Sequence, residues 1–299
     1  MSYNRSERIL ELIGVNALHK TQVELVDLFH STLKQPMHGL CFSPYVDGQQ
    51  PGDQLSEEQI RRRIEIIKPH TSWIRSFSCT EGNEMIPRIA KEYGLKTLVG
   101  AWLGKNESVN KQEIANLIQL AKGGFVDVAV VGNEVMYRGD MTEAELLLNI
   151  YHVKNEIPNI QVGYVDAYYE FENHPKITEA CDVILANCYP FWEGCSIEYS
   201  LLYMKDQYGR AMKAAKGKKV IITETGWPNM GEKFHGAQPS VKNALIHFIN
   251  TQQWSKEDNI DIFYFSSFDE SWKIGDEGDV GAFWGLWDKN EKLKYQLDK

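Results

Sequence analysis

Short runs rich in valine, isoleucine and leucine alternate along the chain with longer polar stretches in which apolar residues recur three and four apart. The runs occupy residues 39–43, 73–77, 96–101, 127–132, 161–165, 183–187, 219–223 and 261–266, and each reads as a β-strand. Segments such as VDVAVVG, KVIIT and DIFYFSS are nearly apolar throughout, as parallel strands covered on both faces must be. Between them RRRIEII, EMIPRIAKEY, KQEIANLIQLA and EAELLLNIYHVKNEI carry helical spacing. Ser56 with Gln59, Asn110 with Glu113 and Thr142 with Glu145 have the spacing of a capping box, in which two side chains satisfy orphaned N–H groups at a helix start.

Strand, helix, strand, eight times over, predicts an α/β fold, either a (β/α)8 barrel or a doubly wound sheet. A length of 299 residues accommodates two ordinary domains or one barrel of about 250 residues. No linker rich in Pro, Gly and Ser interrupts the repeat, so residues 39–299 read as one barrel domain. Residues 1–38 precede it as a helical extension packed on the barrel. Within it, 4–13 and 21–33 look amphipathic, the second through Val23, Val26, Leu28, Phe29 and Leu33. They are expected to close the barrel floor; a partner-binding arm is the competing reading.

Composition narrows the chemistry. Lys and Arg number 32 against 41 Asp and Glu, a net charge of −9, which argues against a nucleic-acid partner because phosphate neutralisation needs clustered positive charge. No apolar run approaches the roughly 20 residues of a membrane span. The start, MSYNRSERIL, lacks the apolar stretch of an export signal, giving the expectation of a cytoplasmic protein, or of a secreted or periplasmic one from which a signal has been removed. Cys41, Cys79, Cys181, Cys188 and Cys195 form no C-x-x-C pair and read as reduced, mostly buried thiols.

In an eight-fold barrel the loops after the strands build the site. Asn133-Glu134 follow the fourth run, Asp166 the fifth, Glu224 the seventh and Asp269-Glu270 the eighth. Carboxylates from distant parts of the sequence therefore converge on one rim. Two of them facing a cleft suit glycosidic bond cleavage, one protonating the leaving oxygen while the other attacks the anomeric carbon or activates water. Trp102, Trp192, Trp227 and Trp272 lie after runs three, six, seven and eight, with Tyr45, Tyr137 and Tyr189 near the same rim. Flat C–H faces of sugar rings pack on such aromatics, so the rim fits a carbohydrate polymer, although core packing is an equal alternative for each Trp.

HGLCFSPY, VVGNEVMYRGD, VGYVDAYYEF, ANCYPFW, ITETGWPN and FDESWK followed by GAFWGLWD occur in that order. Through them the chain resembles glycoside hydrolase family seventeen, the β-1,3-glucanases and related glucanosyltransferases, from residue 39 to about 287. The resemblance implies a TIM barrel, a retaining mechanism without cofactor, Glu134 as general acid/base and Glu224 in ETGWP as nucleophile. Asn133 is then placed to hydrogen-bond the sugar 2-hydroxyl. Tyr189 is expected to orient Glu224, and Tyr45 to line the same subsite. Glu270 and Lys273 match charged positions the family keeps beside the nucleophile, a structural ion pair being the rival reading. Asp166 is a supporting or sugar-contacting group, and Arg138 a loop anchor. FSP after the first run, SFSC after the second and FDES in place of the plant FDEN look closer to fungal and bacterial branches.

The leading expectation is a hydrolase acting on laminarin-type β-1,3-glucan; a glucanosyltransferase and a non-catalytic glucan-binding barrel are the alternatives. A phosphate-handling barrel is disfavoured because no Gly-rich phosphate-binding loop follows runs seven and eight, where Trp and acidic residues stand instead. No H-E-x-x-H or EF-hand pattern calls for a metal. Asp276, Glu277 and Asp279 are read as a solvated acidic loop in preference to a calcium site.

Overall fold

The eight strands pair in parallel and in chain order, β1 with β2 and so on to β8, which returns to pair with β1. That closure selects the barrel over the open sheet. The computed structural model describes residues 17–275 and 277–296, so the expected helix at 4–13 lies outside the described residues. The strands are β1 Met37–Cys41, β2 Thr71–Ser76, β3 Lys96–Ala101, β4 Val128–Asn133, β5 Gln161–Ala167, β6 Val183–Asn187, β7 Val220–Thr225 and β8 Ile262–Tyr264. Every residue of β4, β6 and β7 is buried, because side chains alternate between the barrel interior and the helical layer.

The helices are α1 Gln22–Leu33, α2 Glu57–Ile67, α3 Met85–Glu92, α4 Glu107–Lys122, α5 Val135–Arg138, α6 Glu143–Glu156, α7 Glu170–Asn173, α8 Pro175–Ala180, α9 Ser200–Ala215 and α10 Val241–Glu257. Capping boxes form at Ser56 with Gln59 and at Thr142 with Glu145. The third expected box does not. α4 is capped by Asn106, whose side chain accepts from the N–H groups of Ser108 and Val109. Glu113 points inward and is buried. Its carboxylate accepts from Ser78 Oγ at 2.5 Å, Thr80 Oγ1 at 2.6 Å, Cys79 N at 2.7 Å and Trp102 N at 3.1 Å, so one side chain ties the loop after β2 to the loop after β3.

α1 runs beside α10 rather than across the floor. Phe29 meets Phe248 edge-on at 5.1 Å and Tyr295 at 5.2 Å, while Val23, expected on the apolar face, is exposed and Leu25 is buried instead. Among the described residues no α-helix follows β8, and α1 covers the flank where one would stand. β8 ends earlier than its apolar run suggests. Beyond Tyr264 the chain still bonds its barrel neighbours, Phe265 N–H donating to Thr225 O at 2.8 Å and Ser267 N–H to Cys41 O at 3.0 Å. The residue between them pairs with the C-terminal segment, Ser266 N–H donating to Trp284 O at 3.1 Å and Leu286 N–H to Ser266 O at 3.0 Å.

Candidate active site

Glu224 lies within β7 and is 7% exposed. Two residues on, the chain passes so close to the segment after β8 that only glycine fits, since a Cβ on Gly226 would stand 2.1 Å from Phe265 O. Three donors hold the carboxylate. Arg75 Nη1 donates to Oε1 at 2.5 Å, Asn187 Nδ2 to Oε1 at 3.1 Å and the Tyr189 hydroxyl to Oε2 at 2.8 Å.

Glu134 follows the last residue of β4 and caps α5 in the left-handed backbone region, φ +52°. Asn187 Nδ2 also donates to its Oε1, at 2.8 Å. One amide nitrogen thus bridges the two carboxyl groups. The orientation of that amide is fixed from behind, since Thr223 Oγ1 donates to Asn187 Oδ1 at 2.9 Å. Burial first, and then the charge of Glu224, push Glu134 up from 4.5 to about 7.

Arg75 and Asn187 escaped the sequence reading. Arg75 is almost completely buried, and besides Glu224 it reaches Thr223 O at 3.1 Å and, through Nη2, Asn133 Oδ1 at 2.6 Å. A signal was present: an arginine inside a barrel strand, TSWIRS, cannot remain unpaired there. Because a guanidinium only donates, Asn133 must turn its oxygen to Arg75, which leaves Nδ2 to donate into the cleft. Asn187 is the last residue of β6, one of the strand-end positions at which such sites are built.

The remaining expected residues divide. Tyr45 is buried, accepts from Asn83 Nδ2 at 3.4 Å and meets Trp272 edge-on at 5.9 Å. Lys273 Nζ pairs with Glu270 Oε2 at 2.9 Å and lies 4.2 Å over the Phe265 ring. Burial disfavours the Lys273 ammonium, but Glu270 and Glu277 more than offset this and raise its pKa. Glu270 Oε1 and Trp272 Nε1 are buried without a partner. Trp102 is 40% exposed and backed by the Arg138 guanidinium at 4.6 Å. Arg138 itself bonds Asn133 O, Leu103 O and Asp140, which anchors the loop after β4.

Two expected site residues turn away from the cleft. Trp227 is 1% exposed, donates from Nε1 to Gln238 O at 3.0 Å and packs on Phe191 at 5.2 Å, so it offers no face to a ligand. Asp166 is fully buried beneath the loop that carries Glu134, so of its two expected roles the sugar contact falls away and the supporting one remains. Asp269 likewise serves the fold, pairing with Lys294 at 2.6 Å. Trp192 stays on the rim, tilted against Trp284 at 5.6 Å and edge-on to Phe234 at 5.9 Å. It lines a cavity of about 420 Å³ with Phe191, Lys233, Phe234 and Val280. Trp284 in turn contacts Tyr189 at 5.6 Å, which connects that cavity to Glu224 through aromatic rings.

Of the acidic loop, Asp276 lies outside the described residues. Asp279 accepts from the Glu232 N–H with both oxygens, at 3.0 and 2.9 Å. Among the described residues no group of three or more His, Cys, Asp or Glu could hold a metal ion.

A closed parallel barrel with two carboxyl groups bridged at its C-terminal rim defines a glycoside hydrolase. Residues 39–285 match the BtgE/BtgC glycoside hydrolase domain, and the chain belongs to that family. It is 29% identical over 272 residues to the glucan 1,3-beta-glucosidase of Arthroderma benhamiae, covering 84% of this chain and 88% of that protein. The Saccharomyces cerevisiae glucan 1,3-beta-glucosidase is 26% identical, with 83% and 87% covered. Among solved structures, a β-1,3-glucanosyltransferase of glycoside hydrolase family 17 from Rhizomucor miehei superposes with TM-score 0.77 at 27% identity, covering 87% of this chain and 96% of that one. An active-site mutant of the Rhizomucor miehei β-1,3-glucanosyltransferase in complex with laminaritriose gives TM-score 0.78 at 26% identity.

Proposed function

We propose that the protein cleaves β-1,3-glucan chains with retention of configuration, through a covalent glycosyl-enzyme. The observation that carries this reading is the Asn187 bridge. Contacts of 2.8 and 3.1 Å to one nitrogen keep the two Oε1 atoms within about 6 Å of each other, a close pairing of the kind retention uses, in which the carboxylate rather than a water reaches the sugar.

Glu224 attacks the anomeric carbon while Glu134 gives its proton to the departing glycosidic oxygen. Esterification of Glu224 removes one negative charge from beside Glu134, which lowers its proton affinity and fits it to act as base. Glu134 then takes a proton from water, the water oxygen bonds to the anomeric carbon, and the Glu224 carboxylate leaves. Asn133 Nδ2 donates to the 2-hydroxyl, a bond that strengthens as positive charge develops on the ring. The glucan specificity rests on the relatives above and on the aromatic rim. The chain is read as closer to the fungal and bacterial branches than to the plant enzymes, and the relatives above are fungal.

Glu224→Ala or Glu134→Gln is expected to cut turnover of laminarin by roughly 10³-fold or more, with folding unchanged by circular dichroism. Near-normal turnover in both variants overturns the reading. The likeness to the Rhizomucor miehei transferase over 96% of its length favours a second outcome, in which an acceptor sugar replaces water. Product sizing at high oligosaccharide concentration separates the two, since products longer than the substrate arise only by transfer. Binding of laminarin without release of any product would instead indicate a binding barrel.

A further inference from the structure

Glu134 caps α5, yet its side chain makes no capping bond, because its carboxyl faces Asn187. A helix start ordinarily takes its cap from the residue at that position. Here that side chain is turned to the cleft, and the backbone beneath it sits at φ +52°, where a residue with a Cβ is disfavoured unless its surroundings hold it. The preceding Gly132 is also left-handed, at φ +85°.

The missing cap comes from β5. Met136 N–H donates to the Tyr164 hydroxyl at 2.8 Å, and Tyr137 N–H to Asp166 Oδ2 at 3.3 Å. The Tyr164 hydroxyl itself donates to Asp166 Oδ2, while Asp166 Oδ1 accepts from Ala167 N–H at 2.8 Å. Between the two, Val165 O accepts the N–H of Glu134 at 2.7 Å. Three consecutive residues of one strand thus grip the chain from Glu134 to Tyr137. Tyr164 is 1% exposed and Asp166 0%, so neither meets a substrate.

We propose that Asp166 and Tyr164 are positioning residues for the acid/base, supplying from β5 the helix cap that Glu134 gives up and so holding its carboxyl against Asn187. The proposal rests on the reading of Glu134 as acid/base. Asp166 acts on charge as well as on position. Glu134 faces Glu224 from β7, Asp166 from β5, Arg75 from β2 and Tyr189 beyond β6; burial and the carboxylates favour its protonated form, and Asn187 and Arg75 oppose it. Asp166 in turn faces Tyr164, Tyr169 and Glu170, and burial pushes it up to about 6. At neutral pH its negative charge therefore stands behind Glu134.

Asp166→Asn keeps an oxygen for the Tyr137 N–H and the Tyr164 hydroxyl, gives up the acceptor for the Ala167 N–H, and removes the charge. It is expected to retain most of kcat while the basic limb of kcat/KM on laminarin moves down by roughly 0.5–1 pH unit. Asp166→Ala also removes the cap and is expected to lose kcat roughly ten- to a hundredfold with KM little changed. Tyr164→Phe, which leaves one N–H unpartnered, guards against failure of Asp166→Ala to fold, and its kcat is expected to fall about tenfold. Wild-type kcat and an unmoved basic limb in folded Asp166→Asn and Tyr164→Phe overturn the proposal, as does a loss of thermal stability alone. Failure of the functional reading is distinguishable, because Glu134→Gln would then keep wild-type turnover.

Discussion

Glu134 and Arg75 show how burial sets the chemistry of single side chains. With its pKa raised to about 7, Glu134 remains protonated through mildly acidic pH and releases its proton near neutrality. kcat/KM on laminarin is therefore expected to fall above pH about 7, with the basic limb absent from the residual rate of Glu134→Gln; a pH profile checks this. The same shift has a stability consequence. Folded Glu134 binds a proton that the unfolded chain releases from about 4.5 upward, so its stabilising contribution is complete below that value and is lost as pH rises through 7. Arg75 works in the opposite sense, as the cation among buried acceptors. Arg75→Ala leaves Glu224 buried without its counter-charge and is expected to cost about 3–5 kcal/mol in urea unfolding. Arg75→Lys keeps the charge but cannot reach Glu224 and Asn133 at once, so the fold should survive while kcat falls about tenfold or more.

At the scale of elements, the strands were legible because parallel strands in a barrel have no wet face, and β3 and β6 have the bounds their apolar runs suggest. The ends of β7 and β5 were less so. Both strands extend two residues past their expected ends and carry Glu224 and Asp166 inside them, because polar side chains can point into the barrel mouth without breaking the ladder. Position alone set Glu134, Asp166, Glu224, Asp269 and Glu270 on one rim and the family resemblance singled out Glu134 and Glu224, whereas Trp227 could not be told from a ligand platform, since burial in an aromatic cluster leaves no local pattern. Glu113 illustrates the same limit. Spacing from Asn110 made it a cap, but its carboxylate is taken by four donors in two loops. Glu113→Ala orphans all four and is expected to destabilise by about 3 kcal/mol or more in thermal or urea unfolding; a mere cap would lose only about 1 kcal/mol.

Across the whole molecule the barrel divides its loops between anchoring and access. On the β8 side the chain is pinned by buried or half-buried ion pairs, Lys294 with Asp269 and Arg63 with Glu291, and Asn229 N–H bonds Phe283 O at 3.2 Å. These hold the loops after β7 and β8 together around the cavity beside Trp192. The cavity stands two rings beyond Glu224, Tyr189 and Trp284 lying between them. A short oligosaccharide seated on Glu134 and Glu224 need not extend that far, whereas a longer chain can lay a further glucose on Trp192 and Phe234. Stacking of a sugar on one indole is worth about 1–1.5 kcal/mol, roughly a five- to tenfold effect. Trp192→Ala is therefore expected to lower kcat/KM by that factor on laminarihexaose and to leave laminaritriose nearly unchanged. An equal loss on both would place Trp192 in support of Trp284 and Tyr189 rather than under the substrate, and no loss on either would remove the cavity from the path of the glucan.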